Sequence, residues 1–311
     1  MLETCLSTLE ARFGGSGRLL ALLSGQKQAK RSVDSPTPTR TLAKPWALRL
    51  LGGIAGSLMA LSILACGDSK AGPNLVMVPV DDTIHVPESL EPGFTTFRVE
   101  AKGDSDHHLI FLRPDEGVSQ EQFEQLILAN DGSSDPVQTI VGGNGGMAFD
   151  DSVDVTFKLE TGYYAVVLFD EEGEVADYRF ISVSDGEDKT SEPSASAVVT
   201  MGPGMTFTLP DGFDGSGTYK VVNKDTDIHE PAVIRLEDGA GVEDLLAWGE
   251  AGFQGPPPFT PAGGFGALDA GRTGWVTDDL PAGQYALVCW IPDDNGVPHW
   301  MSGMIAQFEV K

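Results

Sequence analysis

The sequence predicts an all-β protein: two tandem Greek-key β-sandwich domains, each with one short helix, behind a leader segment. Three observations carry this reading. Short runs rich in β-branched and aromatic residues recur, Phe97–Glu100, Val153–Leu159, Tyr164–Phe169 and Tyr219–Val222 among them, and half-buried strands have this composition. Glycine (38) and proline (20) are abundant and punctuate the runs as turns do. The same landmarks also appear twice in the same order. Thr95–Glu100 is answered by Thr218–Asn223 and Asp106–Arg113 by Ile228–Arg235. Gly142-Gly143 is answered by Gly263-Gly264 and Thr156–Leu168 by Val276–Cys289. A helical patch lies between them in each half, Ser119–Ala129 and Gly241–Trp248. Each copy runs to about 110 residues, the size of one sandwich domain.

The boundaries follow from composition. Residues 1–65 are a leader with an apolar core, and residues 66–74 are a polar tether. The first domain is expected over 75–183 and the second over 197–311. Between them lies a polar stretch, residues 184–196, with the composition of a solvated linker. Lys44 and Arg49 precede a 16-residue uncharged run, Leu50–Ala65. That is shorter than the roughly 20 residues needed to span a bilayer, and it has the form of a signal-peptide core. The run ends in Leu-Ala-Cys66, which resembles the lipobox of bacterial lipoproteins. The resemblance implies that Cys66 becomes the lipidated first residue of an extracytoplasmic protein anchored to the cell-envelope membrane. Residues 1–43 are long for an n-region, and a start at Val33 would shorten them.

The formal net charge is −26, and beyond residue 66 the chain keeps only 12 basic residues against 43 acidic ones. Such a surface excludes nucleic acid as a partner. It suits solubility or a basic redox partner. The cysteines are Cys5, Cys66 and Cys289, too few for a disulfide framework. An unpaired Cys289 in an exported protein is a liability unless buried or metal-bound.

The residues around Cys289 favour metal. His299 and Met304 follow it, ten and fifteen positions on, and His229 stands before an apolar run. Two imidazoles, a thiolate and a weak thioether are the donor set of a type 1, blue copper site. With these residues in view, the second half resembles the cupredoxin family. The resemblance implies one type 1 copper ion held by His229, Cys289, His299 and Met304, with Ile305–Val310 as the last strand. It also implies that Asn223 ties the ligand strands together. The spacing from Cys289 to His299, with Val-Pro, Trp and Ser-Gly-Met alongside, is similar to the loop of copper nitrite reductases. Trp290 and Trp300 flank the ligands and are expected to keep the site dry. Two departures stand out: Pro231, which cannot donate to a sheet ladder, and the acidic pair Asp293-Asp294, which lengthens the loop.

In the first half Leu168 takes the cysteine's place, and only His107 and His108 remain near a ligand position. That half is expected to be structural or to dock a partner. The whole chain has five histidines and no His-x-His pair, so a second, catalytic copper is not expected. The reading is an electron carrier rather than an enzyme. Two alternatives stay open: a copper-free binding module presenting residues 251–260 to a partner, and a Cu(I) carrier or storage protein.

Overall fold

The structure is a computed structural model that describes residues 70–311, apart from 82, 103–107, 130–137, 148–150, 170–174 and 294. The expectations placed on the leader and Cys66 lie outside the described residues, as do those on His107 and Asp294. No described helix is long and apolar enough to cross a membrane.

In chain order the first half contributes β1 (Asn74–Val80), β2 (Ser89–Leu90), β3 (Gly93–Ala101), β4 (His108–Pro114), α1 (Gln120–Ala129), β5 (Gln138–Gly143), β6 (Ser152–Leu159), β7 (Gly162–Phe169) and β8 (Val175–Val183). The second contributes β9 (Ala197–Gly202), β10 (Thr206–Thr208), β11 (Gly217–Asn223), β12 (Ala232–Leu236), α2 (Val242–Glu250), β13 (Phe259–Gly264), β14 (Thr273–Asp278), β15 (Gly283–Val288) and β16 (Ile305–Val310). The strand runs and both helices read from the sequence therefore form where expected. In β3 burial alternates strictly along nine residues, the period-two signature of a sheet with one face on the core. Helix α1 opens on a capping box: Ser119 Oγ accepts from Gln122 N–H at 3.2 Å, and Ser119 N–H donates to Gln122 Oε1 at 3.0 Å.

The strands form three sheets. A five-stranded sheet, β2-β8-β7-β4-β5, belongs to the first half, and a four-stranded sheet, β13-β12-β15-β16, to the second. The third sheet is shared: its order is β1-β3-β6-β14-β11-β9-β10. The halves join where β6 pairs antiparallel with β14 through Trp275↔Thr156, Val276↔Val155 and Thr277↔Asp154. One continuous buried cluster runs through strands of both halves, from Phe97, Phe111 and Phe157 to Tyr285, Cys289 and Met304. The three phenylalanine rings pack at centroid distances of 4.4 to 5.1 Å, and burial of each contributes about 1.5–3 kcal/mol.

The junction is polar as well as apolar. Gly145 N–H donates to Gly264 carbonyl oxygen at 3.1 Å, and Gly266 N–H donates to Gly143 carbonyl oxygen at 3.0 Å. Asn144 bridges Phe265, and Met147 bridges Ala262. Gly264 has φ +86, and a Cβ there would lie 2.7 Å from Pro231 carbonyl oxygen and from Val233 N. Only glycine fits this approach to the segment behind His229.

The stretch 184–196, solvated by composition, is held down. Thr190 is buried, its Oγ1 accepts from Phe94 N–H at 2.6 Å, and Ala71 bridges it. Asp188 pairs with Lys158 at 3.1 Å, and Glu192 with Lys220 at 2.6 Å. Ion pairs with lysines far away in sequence turn the stretch into a strap across strands of both halves.

Candidate metal centre

Three local devices bring the donors together. His229 is held by a two-way bridge to Leu268 just before β12. Cys289 lies immediately after β15, whose apolar face carries it into the core. His299 opens a single 3-10 turn, His299–Ser302, that leads through Gly303 at φ 107 to Met304 and β16. The chain between Cys289 and His299 folds back on itself. Pro292 bridges Pro298, His299 N–H donates to Ile291 carbonyl oxygen at 2.8 Å, and Asp293 Oδ1 accepts from Asn295 N–H and Val297 N–H. Asp293 thus closes the long loop rather than distorting it, and these backbone donors hold its carboxyl below the usual range. Pro231 is equally harmless. It stands one residue ahead of β12, and its carbonyl accepts from Phe265 N–H at 3.3 Å.

The donors converge. His229 Nδ1 and His299 Nδ1 are 3.1 Å apart. Cys289 Sγ lies 3.5 Å from His299 Nδ1 and 3.9 Å from His229 Nδ1. A point in their plane is about 2 Å from all three, within the range of metal–nitrogen and metal–thiolate bonds of roughly 2.0–2.3 Å. His229 and Cys289 have no exposed surface, and His299 retains 3%. This is the one His/Cys/Asp/Glu cluster of its kind among the described residues. Met304, fully buried, is tied to the site through its carbonyl, which accepts from Cys289 N–H at 3.3 Å, and through its own N–H, which donates to His299 carbonyl oxygen at 3.0 Å.

The polar surroundings decide which atoms are free to bind. Asp225 Oδ2 lies 3.1 Å from His229 Nε2. A proton on Nε2 donated to that carboxylate leaves Nδ1 as the bare nitrogen facing Cys289 and His299. Burial works to raise the Asp225 carboxyl, but hydrogen bonds from His229 and Thr226 outweigh it and hold the carboxyl below the usual range. Nothing in the sequence singles out Asp225. An acidic residue four positions before a histidine is too common to single out, and only the turn between them makes the contact. Asn223 is fully buried, and its Nδ2 donates to Asp227 carbonyl oxygen at 2.7 Å and to Leu268 carbonyl oxygen at 2.9 Å. It fastens the loops on either side of His229, while the cysteine strand is held by other bonds.

Electrostatics favour a cation. Burial lowers the His299 imidazole, and the neighbouring His229 adds to that effect, so near neutral pH His299 presents a lone pair. Burial raises the Cys289 thiol strongly, with Glu230 adding to it. Glu230 N–H partly offsets this by donating to Sγ at 3.3 Å. Two close nitrogens and a thiol, sealed from water, are balanced best by an ion that takes the place of the thiol proton. Trp290 and Trp300 meet edge to face at 5.6 Å and pack in the cluster beneath α2, separate from the one that holds Cys289 and Met304, whereas the sequence led us to expect them as a shield around the donors. A Cβ at Gly249 would come within 2.5 Å of the Trp300 ring, so the helix settles on that indole only because it has glycine there. The connection from α2 to β13 includes residues 251–258. Phe253 packs on Trp248 at 4.9 Å, and Trp248 Nε1–H donates to Gly255 carbonyl oxygen at 3.3 Å.

In the first half, Leu168 is buried at the corresponding end of β7, opposite Leu109. His108 is buried at the start of β4, away from any second metal-type cluster among the described residues.

No protein-family model and no curated protein sequence matches the chain. Among solved structures it is similar to auracyanin A, a "blue" copper protein from the green thermophilic photosynthetic bacterium Chloroflexus aurantiacus. The match has 15% identity, 36% of this chain, all of that chain and a TM-score of 0.27. It is also similar to auracyanin from Roseiflexus castenholzii, at 13% identity, 37% of this chain, all of that chain and a TM-score of 0.25. A third is a variant of the multicopper oxidase McoA from Aquifex aeolicus, at 14% identity, 78% of this chain, 66% of that chain and a TM-score of 0.23. The meaning of the site comes from its own donors: two imidazole nitrogens and one thiolate at bonding separations around a dry centre, with a buried methionine alongside. This set fits a single type 1 copper ion.

Proposed function

We propose that the protein is a membrane-tethered electron carrier with one type 1 copper ion that would be held by His229, His299 and Cys289, with Met304 as a weak fourth donor. The convergence of the first three residues' donor atoms around one point carries this reading. Copper, when bound, supplies a one-electron couple between Cu(I) and Cu(II). The protein's residues do the rest. Cys289 gives up its proton on binding, and Asp225 holds His229 in the binding tautomer. Asn223 fixes the loops around His229, and the burial of all three donors keeps water out. Donors fixed by strand ends and a closed loop keep one geometry through the redox cycle, so little reorganises. His299 is the ligand with residual exposure and lies two residues from exposed Val297. It is therefore the exit for the electron toward a redox partner. The acidic surface suits a basic partner.

We further infer that the two halves are copies of one Greek-key module. The junction supports this, since its bonds come in matched pairs (Gly145 to Gly264, Gly266 to Gly143). Tyr164 and Tyr285, at matching positions, each donate to the carbonyl four residues earlier, at 2.8 and 2.7 Å. The lipid on Cys66 and an extracytoplasmic location complete the reading, and mass analysis of the mature N-terminus tests both.

Titrating residues 67–311 with Cu(II) tests the centre. The expected result is an intense visible band and a narrow-hyperfine EPR signal at one copper per chain, both lost in Cys289→Ser. A band that survives this substitution overturns the assignment. Tight Cu(I) binding without a reversible redox wave points to copper handling instead.

A further inference from the structure

Glu230 follows the ligand His229, and its side chain reaches a residue of the first half. Its Oε1 lies 3.7 Å from His108 Nε2. Both residues are at least 96% buried, and neither His108 Nε2 nor Glu230 Oε2 has a hydrogen-bond partner among the described residues. Two such groups in apolar surroundings are costly unless they face each other. Strand pairing makes the positions equivalent. Val167 pairs with Ile110 in the first half as Val288 pairs with Ala232 in the second, so two residues upstream His108 answers Glu230. They meet across the junction as two polar side chains in contact at 3.7 Å, longer than a hydrogen bond. Glu230 also reaches the metal site by its main chain, because its N–H donates to Cys289 Sγ at 3.3 Å. One residue thus touches the first half with its side chain and the metal-binding sulfur with its backbone.

We infer that the first half is part of the copper centre's tuning apparatus and that His108 is its positioning residue. By fixing the Glu230 side chain, His108 fixes the N–H that bonds to Cys289 Sγ. A hydrogen bond to a metal thiolate draws electron density from the sulfur and favours the reduced metal. Loosening it lowers the potential. The inference rests on the copper reading of the site.

The test compares copper-loaded full-length chains carrying His108→Ala, His108→Gln or no change. The readouts are the reduction potential, the energy of the thiolate band and the metal–sulfur vibrations in resonance Raman. His108→Ala should retain copper but shift the Cu(I)/Cu(II) balance toward Cu(II) by about tenfold, or 59 mV for one electron, with a weakened metal–sulfur vibrational shift on N–H deuteration. His108→Gln, which keeps a polar partner for Glu230, should recover most of the shift. If His108→Ala does not fold, His108→Leu refills the space without a polar atom and carries the same expectation. Unchanged potential and vibrations in the apolar variants overturn the proposal, as does a shift that glutamine does not reduce. A wild-type chain without the blue band sinks the copper reading itself and is distinguishable from either result.

Discussion

The two halves carry different residues at one buried strand end. At the end of β7 stands Leu168, and just past the end of β15 stands Cys289. Both are buried. Leu168 belongs to the same buried apolar cluster as Phe97, Phe111 and Phe157 and lies opposite Leu109, with no metal-type donor cluster there among the described residues. Around Cys289 are two imidazoles and a carboxylate-backed loop. The difference teaches that the sandwich frame does not depend on the site. Alternating strands, turns and a tyrosine bonded to the carbonyl four residues earlier occur in both halves. The metal centre is a local exchange of a few residues on it, and it needs an ion to offset the buried donors.

Exchanging the two positions with alanine separates these contributions most sharply. Leu168→Ala should cost about 2–5 kcal/mol in urea denaturation and leave the copper spectrum untouched. Cys289→Ala should cost far less in the apoprotein and abolish the spectrum completely. If Leu168→Ala erased the blue band, the halves would not be separable in this way. Next in size is Asp225→Asn, which has no described counterpart in the first half. Losing the carboxylate that orients His229 should weaken copper affinity by about 10–100-fold, read by competition with a Cu(I) chelator. An affinity unchanged within twofold would mean that the loop alone orients the ring.

The anchoring tyrosines probe what the halves share. Tyr164→Phe and Tyr285→Phe each remove one hydrogen bond to a carbonyl and should each cost about 1 kcal/mol. A large inequality would show that one half stabilises the other rather than both standing on the same device. The smallest effect belongs to the strap. A hydrogen bond from Thr190, with Lys158 and Lys70 alongside, holds the Asp188 carboxyl down to about 2, against an ordinary 3.8. A carboxyl lowered in the folded state contributes stability above its unfolded value and loses it as pH falls through the folded one. The strap should therefore loosen between about pH 4 and pH 2, and Asp188→Asn should remove that part of the acid dependence. Proteolysis within 184–196 as a function of pH measures it.

The fold class and most of the site were legible because their signals are local. The β-branched and aromatic run in β3, the helical patch Ser119–Ala129 and the order Cys289, His299, Met304 are properties of neighbours along the chain. Asp225 and the contact between Glu230 and His108 were not legible, since each matters only through the residue it meets. The partners within 184–196 were not legible either: most of the stretch is exposed, but Thr190 is buried and accepts from Phe94 N–H, and Asp188 meets Lys158, only in the folded chain.

By itself the sequence determined the alternating strands, the turns between them, the duplicated order of landmarks and the chemistry of the donor set. Only the tertiary structure decided that β6 pairs with β14, so that the halves share one sheet, and that Glu230 joins His108 to Cys289. The physical reason is register. Period-two burial fixes which face of a strand is apolar, but it leaves open which distant strand lies alongside and at what offset. That choice belongs to the packing of the whole core and to the close glycine contacts at the junction.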